Sequence, residues 1–177
     1  MSRARRTGKS SELERALYAG AKRALTAYIR QADDNFPIAL EVTADTMPQG
    51  MQTLVRDEVL FLLSNDKLRP DIFGEIGPNA TEMYGRSRFT LTAEVKPNPI
   101  TIRDVLQAKM YGELYSAHVA LIMSPKLPKQ TVVRLLELRP DLLSYSAGYE
   151  RLYVCSYSEK EESINWWLGK DQPRRRK

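Results

Sequence analysis

The spacing of hydrophobic positions changes several times along this chain, and each change marks an element. In "SSELERALYAGAKRALTAYIRQADD" the residues Leu13, Leu17, Ala21, Leu25 and Tyr28 recur at helical spacing, which predicts an amphipathic helix with Ser10 or Ser11 as N-cap. A short β-like piece around Ile38 to Val42 follows. "PQGMQTLVRDEVLFLLSN" then predicts a second helix with Leu54, Val55, Val59 and Leu62 facing inward. After Pro70 the period falls to two: Ile72, Gly74 and Ile76 alternate with Asp71, Phe73 and Glu75. "FTLTAEVK" alternates more cleanly, with Phe89, Leu91, Ala93 and Val95 on one face and Thr90, Thr92, Glu94 and Lys96 on the other. Turn-forming residues in "GPNATEMYGRSR" lie between the two strands and predict a hairpin.

Pro97 and Pro99 end the second strand, and Thr101 with Asp104 predicts a capped helix through "IRDVLQAKMYGELY". "HVALIMSP" is apolar without alternation, as in a strand covered on both faces, and its place after a helix predicts a crossover beside the hairpin. "KQTVVRLLEL" and "EESINWWLG" are read as helices and "ERLYVCSYS" as a further strand. This order predicts an α/β protein in which a mixed β-sheet is flanked by helices.

Composition sharpens the picture in two places. The net charge is +5, but "MSRARRTGK" and "KDQPRRRK" hold nine bases against one acid, while residues 10–169 hold 18 bases and 21 acids. The chain is thus expected to be one domain over residues 10–169 between basic tails at 1–9 and 170–177. The tails either grip phosphates without sequence preference, through Arg3, Arg5, Arg6, Arg174, Arg175 and Arg176, or are solvated ends. The single cysteine, Cys155, excludes an internal disulfide and is expected in the core. The single histidine, His118, has no Cys or His partner for zinc and is expected to be structural or at the surface. The chain has no apolar run of about 18 residues and no leader-like pattern, so a cytoplasmic protein without membrane contact is expected.

The tetrapeptide Leu-Arg-Pro-Asp occurs twice, at Leu68–Asp71 and at Leu138–Asp141. Asp71 opens the first strand of the hairpin, whereas Asp141 follows a helix and is read as the start of a turn. On the second hairpin strand Glu94 and Lys96 point to one side, about 7 Å apart by strand rise, and Asp71 can reach them from its neighbour. Two adjoining carboxylates favour a hard divalent cation, which relieves their repulsion, and a lysine beside them can hold an attacking water. The same Glu and Lys would also suit a solvated sheet face. Gln107 and Tyr111, one turn apart on the next helix, add to the set. Trp166 and Trp167, read on a helix, would point about 100° apart. They could stack on bases, or one could serve as a core or dimer contact.

"RPD" at Arg69–Asp71, "EVK" at Glu94–Lys96 and "QAKMY" at Gln107–Tyr111 together resemble the PD-(D/E)XK nuclease superfamily, the last being similar to the Gln-x-x-x-Tyr element of its RecB-like branches. The resemblance covers about Asp71 to Pro125. It implies a restriction-endonuclease-like fold and a DNA-cleaving hydrolase dependent on Mg2+ or Mn2+. By the same resemblance, Asp71, Glu94 and the backbone carbonyl of Val95 bind the metal, Lys96 positions the water, Gln107 supports the site or the scissile phosphate, and Tyr111 packs or hydrogen-bonds beside it. Many members carry a further acid on the helix before the sheet, for which Glu12, Glu14 and Glu58 are the candidates. DNA is the implied partner, with a second copy of the chain or a larger nucleic-acid-processing complex left open. The alternative is a binding or assembly module that keeps the fold without turnover.

Overall fold

A computed structural model of the chain describes residues 9–32, 37–45, 57–65, 68–76, 89–145 and 150–168. The first predicted helix forms as α1, Lys9–Ala32, and starts just before the serines expected to cap it. Ala21, Ala24 and Leu25 line its buried face, with Tyr18 one turn earlier. Then come β1 (Ile38–Val42), α2 (Asp57–Ser64), β2 (Ile72–Ile76) and β3 (Phe89–Val95). Val59 and Leu63 are the buried positions of α2; the expected Leu54 and Val55 lie outside the described residues.

β2 and β3 pair antiparallel, with Ile72 opposite Ala93 and Ile76 opposite Phe89, so the predicted hairpin is present. β1 adds antiparallel to the free edge of β2. Pro97 and Pro99 follow β3, and α3 (Ile102–Leu114) begins at a capping box: the Asp104 backbone N–H donates to Thr101 Oγ1, and the Thr101 backbone N–H donates to Asp104 Oδ2. Each bond satisfies a donor that a helix start leaves without an intrahelical partner. The chain returns as β4 (Val119–Ser124), parallel to β3, then α4 (Gln130–Leu138), a 3-10 turn (Pro140–Leu143), β5 (Ser144–Tyr145), β6 (Glu150–Ser158) and β7 (Ser163–Leu168). β6 is parallel to β4 and carries β5 and β7 along its other edge.

Among the described residues the result is an open, mixed, seven-stranded sheet flanked by helices, the architecture expected and one consistent with a restriction-endonuclease-like α/β fold. α1 covers one face, over Leu91, Ala93, Val95, Leu121, Met123 and Cys155. α3 and α4 cover the other, over Ala120, Ile122, Leu152 and Val154, and α2 joins that layer where Phe73 meets Tyr111 and Tyr115. β4 is therefore apolar on both sides for the reason its unbroken run suggested. α3 comes close to the sheet at Gly112: a Cβ there would lie 2.7 Å from Cζ of Tyr145 and 3.0 Å from Cβ of Ala120. The Tyr145 hydroxyl passes beneath to donate to the Ala117 carbonyl at 2.8 Å.

One element departs from expectation. "EESINWWLG" was expected to be helical, yet Ser163–Leu168 is the strand β7, with Leu168 opposite Val154 and Ser163 opposite Ser158. The outer edge of β6 offers unpaired backbone donors and acceptors, and pairing with them outweighs a weak local helical preference. Trp166 and Trp167 accordingly lie on a strand, opposite Ser156 and Cys155, and the helical angle between them does not apply. Cys155 is fully buried, as expected. His118 is structural: its Nδ1 accepts the Thr90 backbone N–H at 3.1 Å and its ring stacks on Phe89 with centroids 4.7 Å apart. The basic tails lie outside the described residues. No described helix is long and apolar enough to cross a membrane.

Candidate active site

The start of β2 and the end of β3 adjoin, because an antiparallel hairpin sets the first residue of one strand beside the last of the other. Thr43, just past β1, anchors this corner: its N–H donates to the Asp71 carbonyl at 2.9 Å and its hydroxyl to the Pro70 carbonyl at 2.5 Å. Pro70 has no N–H to offer the ladder, and its fixed φ suits the entry to a strand. Asp71 is thus held opposite the end of β3. Its Oδ2 accepts the Val95 backbone N–H at 2.7 Å, while the Glu94 carboxylate draws on the backbone N–H of Asp71. The two acidic residues clasp one another's strands.

Glu94 belongs to the face that alternation marked as polar, alongside Thr90 and Thr92. That face is not solvated, since α3 lies over it and Glu94 is only 2% exposed. Its Oε2 is 3.0 Å from Nζ of Lys96, whose side chain is 17% exposed. The backbone N–H of Lys96 donates to the Met123 carbonyl at 2.8 Å, which extends the ladder past β3 and fixes the lysine at the end of the sheet. Nζ also approaches Oε1 of Gln107 at 3.5 Å. Gln107 in turn hydrogen-bonds the Tyr111 phenol one turn further along α3. The structure therefore brings together Asp71, Glu94, Lys96, Gln107 and Tyr111, from the start of β2, the end of β3 and the helix α3. They meet at the carboxyl ends of the parallel strands β3 and β4, where open α/β sheets commonly bind ligands.

From the opposite layer α1 supplies two more groups. The Tyr18 hydroxyl donates to the Asp71 carboxylate, and Glu14, one turn before it, acts electrostatically on Asp71, Tyr18 and Lys96. Of the three acids considered on the early helices, Glu14 is the one that faces the site; Glu12 and Glu58 are exposed. Tyr18 escaped sequence reading because an apolar-periodic helix hides a phenol as a core residue. Its place four residues after Glu14 was the available signal.

Burial governs the electrostatics. It raises the Glu94 carboxyl to about 8, with the negative charge of Asp71 adding to it and Lys96 opposing. Asp71 is raised to about 6, again first by burial, against the Val95 N–H and Lys96, which favour its ionised form. Burial pulls Lys96 down, but Glu94 and Asp71 more than offset this, so the amine stays an ammonium. Two carboxylates and one cation leave an unbalanced negative charge in a largely buried corner, the condition under which a carboxyl group holds its proton or seeks a metal.

Among the described residues no three His, Cys, Asp or Glu side chains form a ligand group. The donor set at this corner is two carboxylates, which are hard oxygen ligands. It suits Mg2+ or Mn2+, which retain several waters, and does not suit zinc. Asp141 lies elsewhere, exposed on the 3-10 turn, with both carboxylate oxygens 2.8 Å from the Arg139 guanidinium. This pairing holds its carboxyl below the usual range. The two Leu-Arg-Pro-Asp copies thus share letters and nothing else. The chain matches no known protein-family model and no curated protein.

Proposed function

We propose that this protein is a metal-dependent nuclease of the PD-(D/E)XK kind that hydrolyses phosphodiester bonds in DNA. The observation that carries the reading is the junction of the buried Glu94 with Asp71 and Lys96 at one end of the sheet, roofed by Gln107 and Tyr111. A buried negative charge without a compensating partner is costly to a fold, and a bound cation would offset it here. Asp71, Glu94 and the Val95 carbonyl would hold Mg2+ or Mn2+, which when bound supplies a Lewis acid for the phosphate and lowers the pKa of a coordinated water.

The protein's own groups do the rest. The Val95 N–H and the Tyr18 hydroxyl aim the Asp71 carboxylate, as partners of metal ligands commonly do. Lys96, kept charged by its acidic neighbours, donates hydrogen bonds. It orients the attacking water and counters negative charge developing at phosphorus. Gln107 steadies the ammonium from above, its carbonyl oxygen facing Nζ while its amide engages Tyr111. The Arg-rich tails add sequence-independent contact with the phosphate backbone.

Incubating the purified protein with plasmid, linear and branched DNA in Mg2+, Mn2+ or EDTA tests this reading. Cleavage is expected with either metal and none in EDTA. Binding to DNA without cleavage under every condition would replace the enzyme with a binding module on the same fold.

A further inference from the structure

The two helical layers differ in their outer surfaces. α1 is tied to its surroundings by ion pairs, Arg15 with Asp45, Lys22 with Glu41, and Arg23 with Glu159 and Glu162. The opposite layer also exposes large apolar side chains. Apart from Phe89, every large hydrophobic residue exposed among the described ones lies on α2, α3, α4 or the loop leading into α4, with Phe61 on α2 exposed to 75%. α3 runs through the middle of this layer, sharing one cluster with α2 through Tyr111 and Tyr115 and another with α4 through Val105 and Ala108.

The outward line of α3 reads Arg103, Leu106, Met110, Glu113, all exposed, at steps of three, four and three residues. That spacing keeps side chains on one stripe of a helix and is the spacing of a helix–helix seam. Arg103 and Glu113 have no ion-pair partner among the described residues, unlike Arg15, Lys22 and Arg23 on α1. The line also has a symmetry of its own. Reversed, the sequence basic, apolar, apolar, acidic becomes acidic, apolar, apolar, basic, its own electrostatic complement.

We propose that α3 is a homodimer interface, pairing antiparallel with α3 of a second copy about a two-fold axis that crosses midway between Leu106 and Met110. The rotation sets Leu106 of each copy on Met110 of the other and Arg103 of each against Glu113 of the other, as an isologous interface requires. A parallel pair would set Arg103 on Arg103. Gln107 and Lys109 become opposite neighbours beside the seam, and Lys109 already leans away to the Asp141 carbonyl at 3.3 Å. The inference does not depend on any activity, since the four residues of the stripe lie outside the site, although Gln107 at its flank also faces Lys96.

Sedimentation velocity of the full chain from about 1 to about 100 µM, the range in which a modest interface populates both states, tests it. The wild type is expected to dimerise with rising concentration. Met110→Glu is expected to sediment as a monomer, with circular dichroism and thermal unfolding like those of the wild type. Arg103→Glu and Glu113→Arg should each weaken the dimer about tenfold, because two symmetry-related like-charge contacts arise in each case. The double variant should return close to the wild-type constant. Within one helix the two residues are about 15 Å apart, so rescue can arise only between copies. A wild type that is monomeric throughout, a dimer indifferent to Met110→Glu, or a double variant no better than the singles would overturn the interface. Should Met110→Glu disturb folding, the charge exchange decides alone.

Discussion

Replacing Asp71 with asparagine should make the metal-free protein more stable at alkaline pH, which is the opposite of what removal of a paired buried charge usually does. The side-chain amide of Asp71→Asn keeps a carbonyl oxygen that can still accept the Val95 N–H, so the corner keeps its shape while losing one negative charge. In the fold the Asp71 carboxyl is raised from 3.8 to about 6, by burial above all and despite the pull of the Val95 N–H and Lys96. A carboxyl group that ionises less readily in the folded than in the unfolded chain contributes its stability in full below about pH 4. That contribution is lost as pH rises through 6. Glu94, raised to about 8, extends the loss upward.

At about 1.36 kcal/mol per pH unit, the Asp71 difference sets a ceiling near 3 kcal/mol. The part of Asp71 open to solvent lowers the expected gain to about 1–2 kcal/mol. Urea denaturation in EDTA at pH 4.5 and pH 8.5, for wild type and Asp71→Asn, measures it. The two proteins should be close at the lower pH and separate at the higher one, with the variant the more stable and its dependence on pH the shallower. Added Mg2+ should then stabilise the wild type at pH 8.5 and leave the variant unmoved. A variant less stable than the wild type at pH 8.5 in EDTA would refute the reasoning, because Asp71 would then be a net stabilising partner of Lys96 and not one of two crowded carboxylates.

Lys96→Ala should fold and retain DNA binding yet cleave at least about a hundredfold more slowly than the wild type in Mg2+, as for other positioned electrostatic groups, measured by single-turnover cleavage. Deleting residues 1–8 and 170–177 should weaken DNA binding and flatten its dependence on salt with little change in thermal unfolding, checked by fluorescence anisotropy across a salt series. Gly112→Ala should destabilise the fold by about 1–3 kcal/mol, since the added methyl meets the Tyr145 ring and Ala120 where α3 approaches the sheet; denaturant titration reads the loss.

Much of the architecture was legible in local order. Alternation in "FTLTAEVK" and the Thr101–Asp104 cap are signals carried within a few residues, and they reappear in space as the paired strands β2 and β3 and the start of α3, while the turn residues 77–88 lie outside the described residues. The link between Asp71, Glu94 and Lys96 was legible for the same reason, because a hairpin makes the start of one strand the neighbour of the end of the next. Local order could equally separate Asp71 from Asp141, since only the first is followed by paired strands.

What depended on distant partners was not. β7 is a strand because β6 had an open edge, which no window around Trp166 and Trp167 records. Glu94 could have belonged to a solvated face until α3 folded over it, and its raised pKa is a property of that cover. Glu12, Glu14 and Glu58 are equivalent letters on helices; only the packing of α1 across the sheet turns Glu14 and Tyr18 toward Asp71. Periodicity decides which side of a segment is buried, because that follows from bond geometry alone. Which side chains then share a buried corner follows from how separate segments pack, and charge acquires its chemical meaning only there.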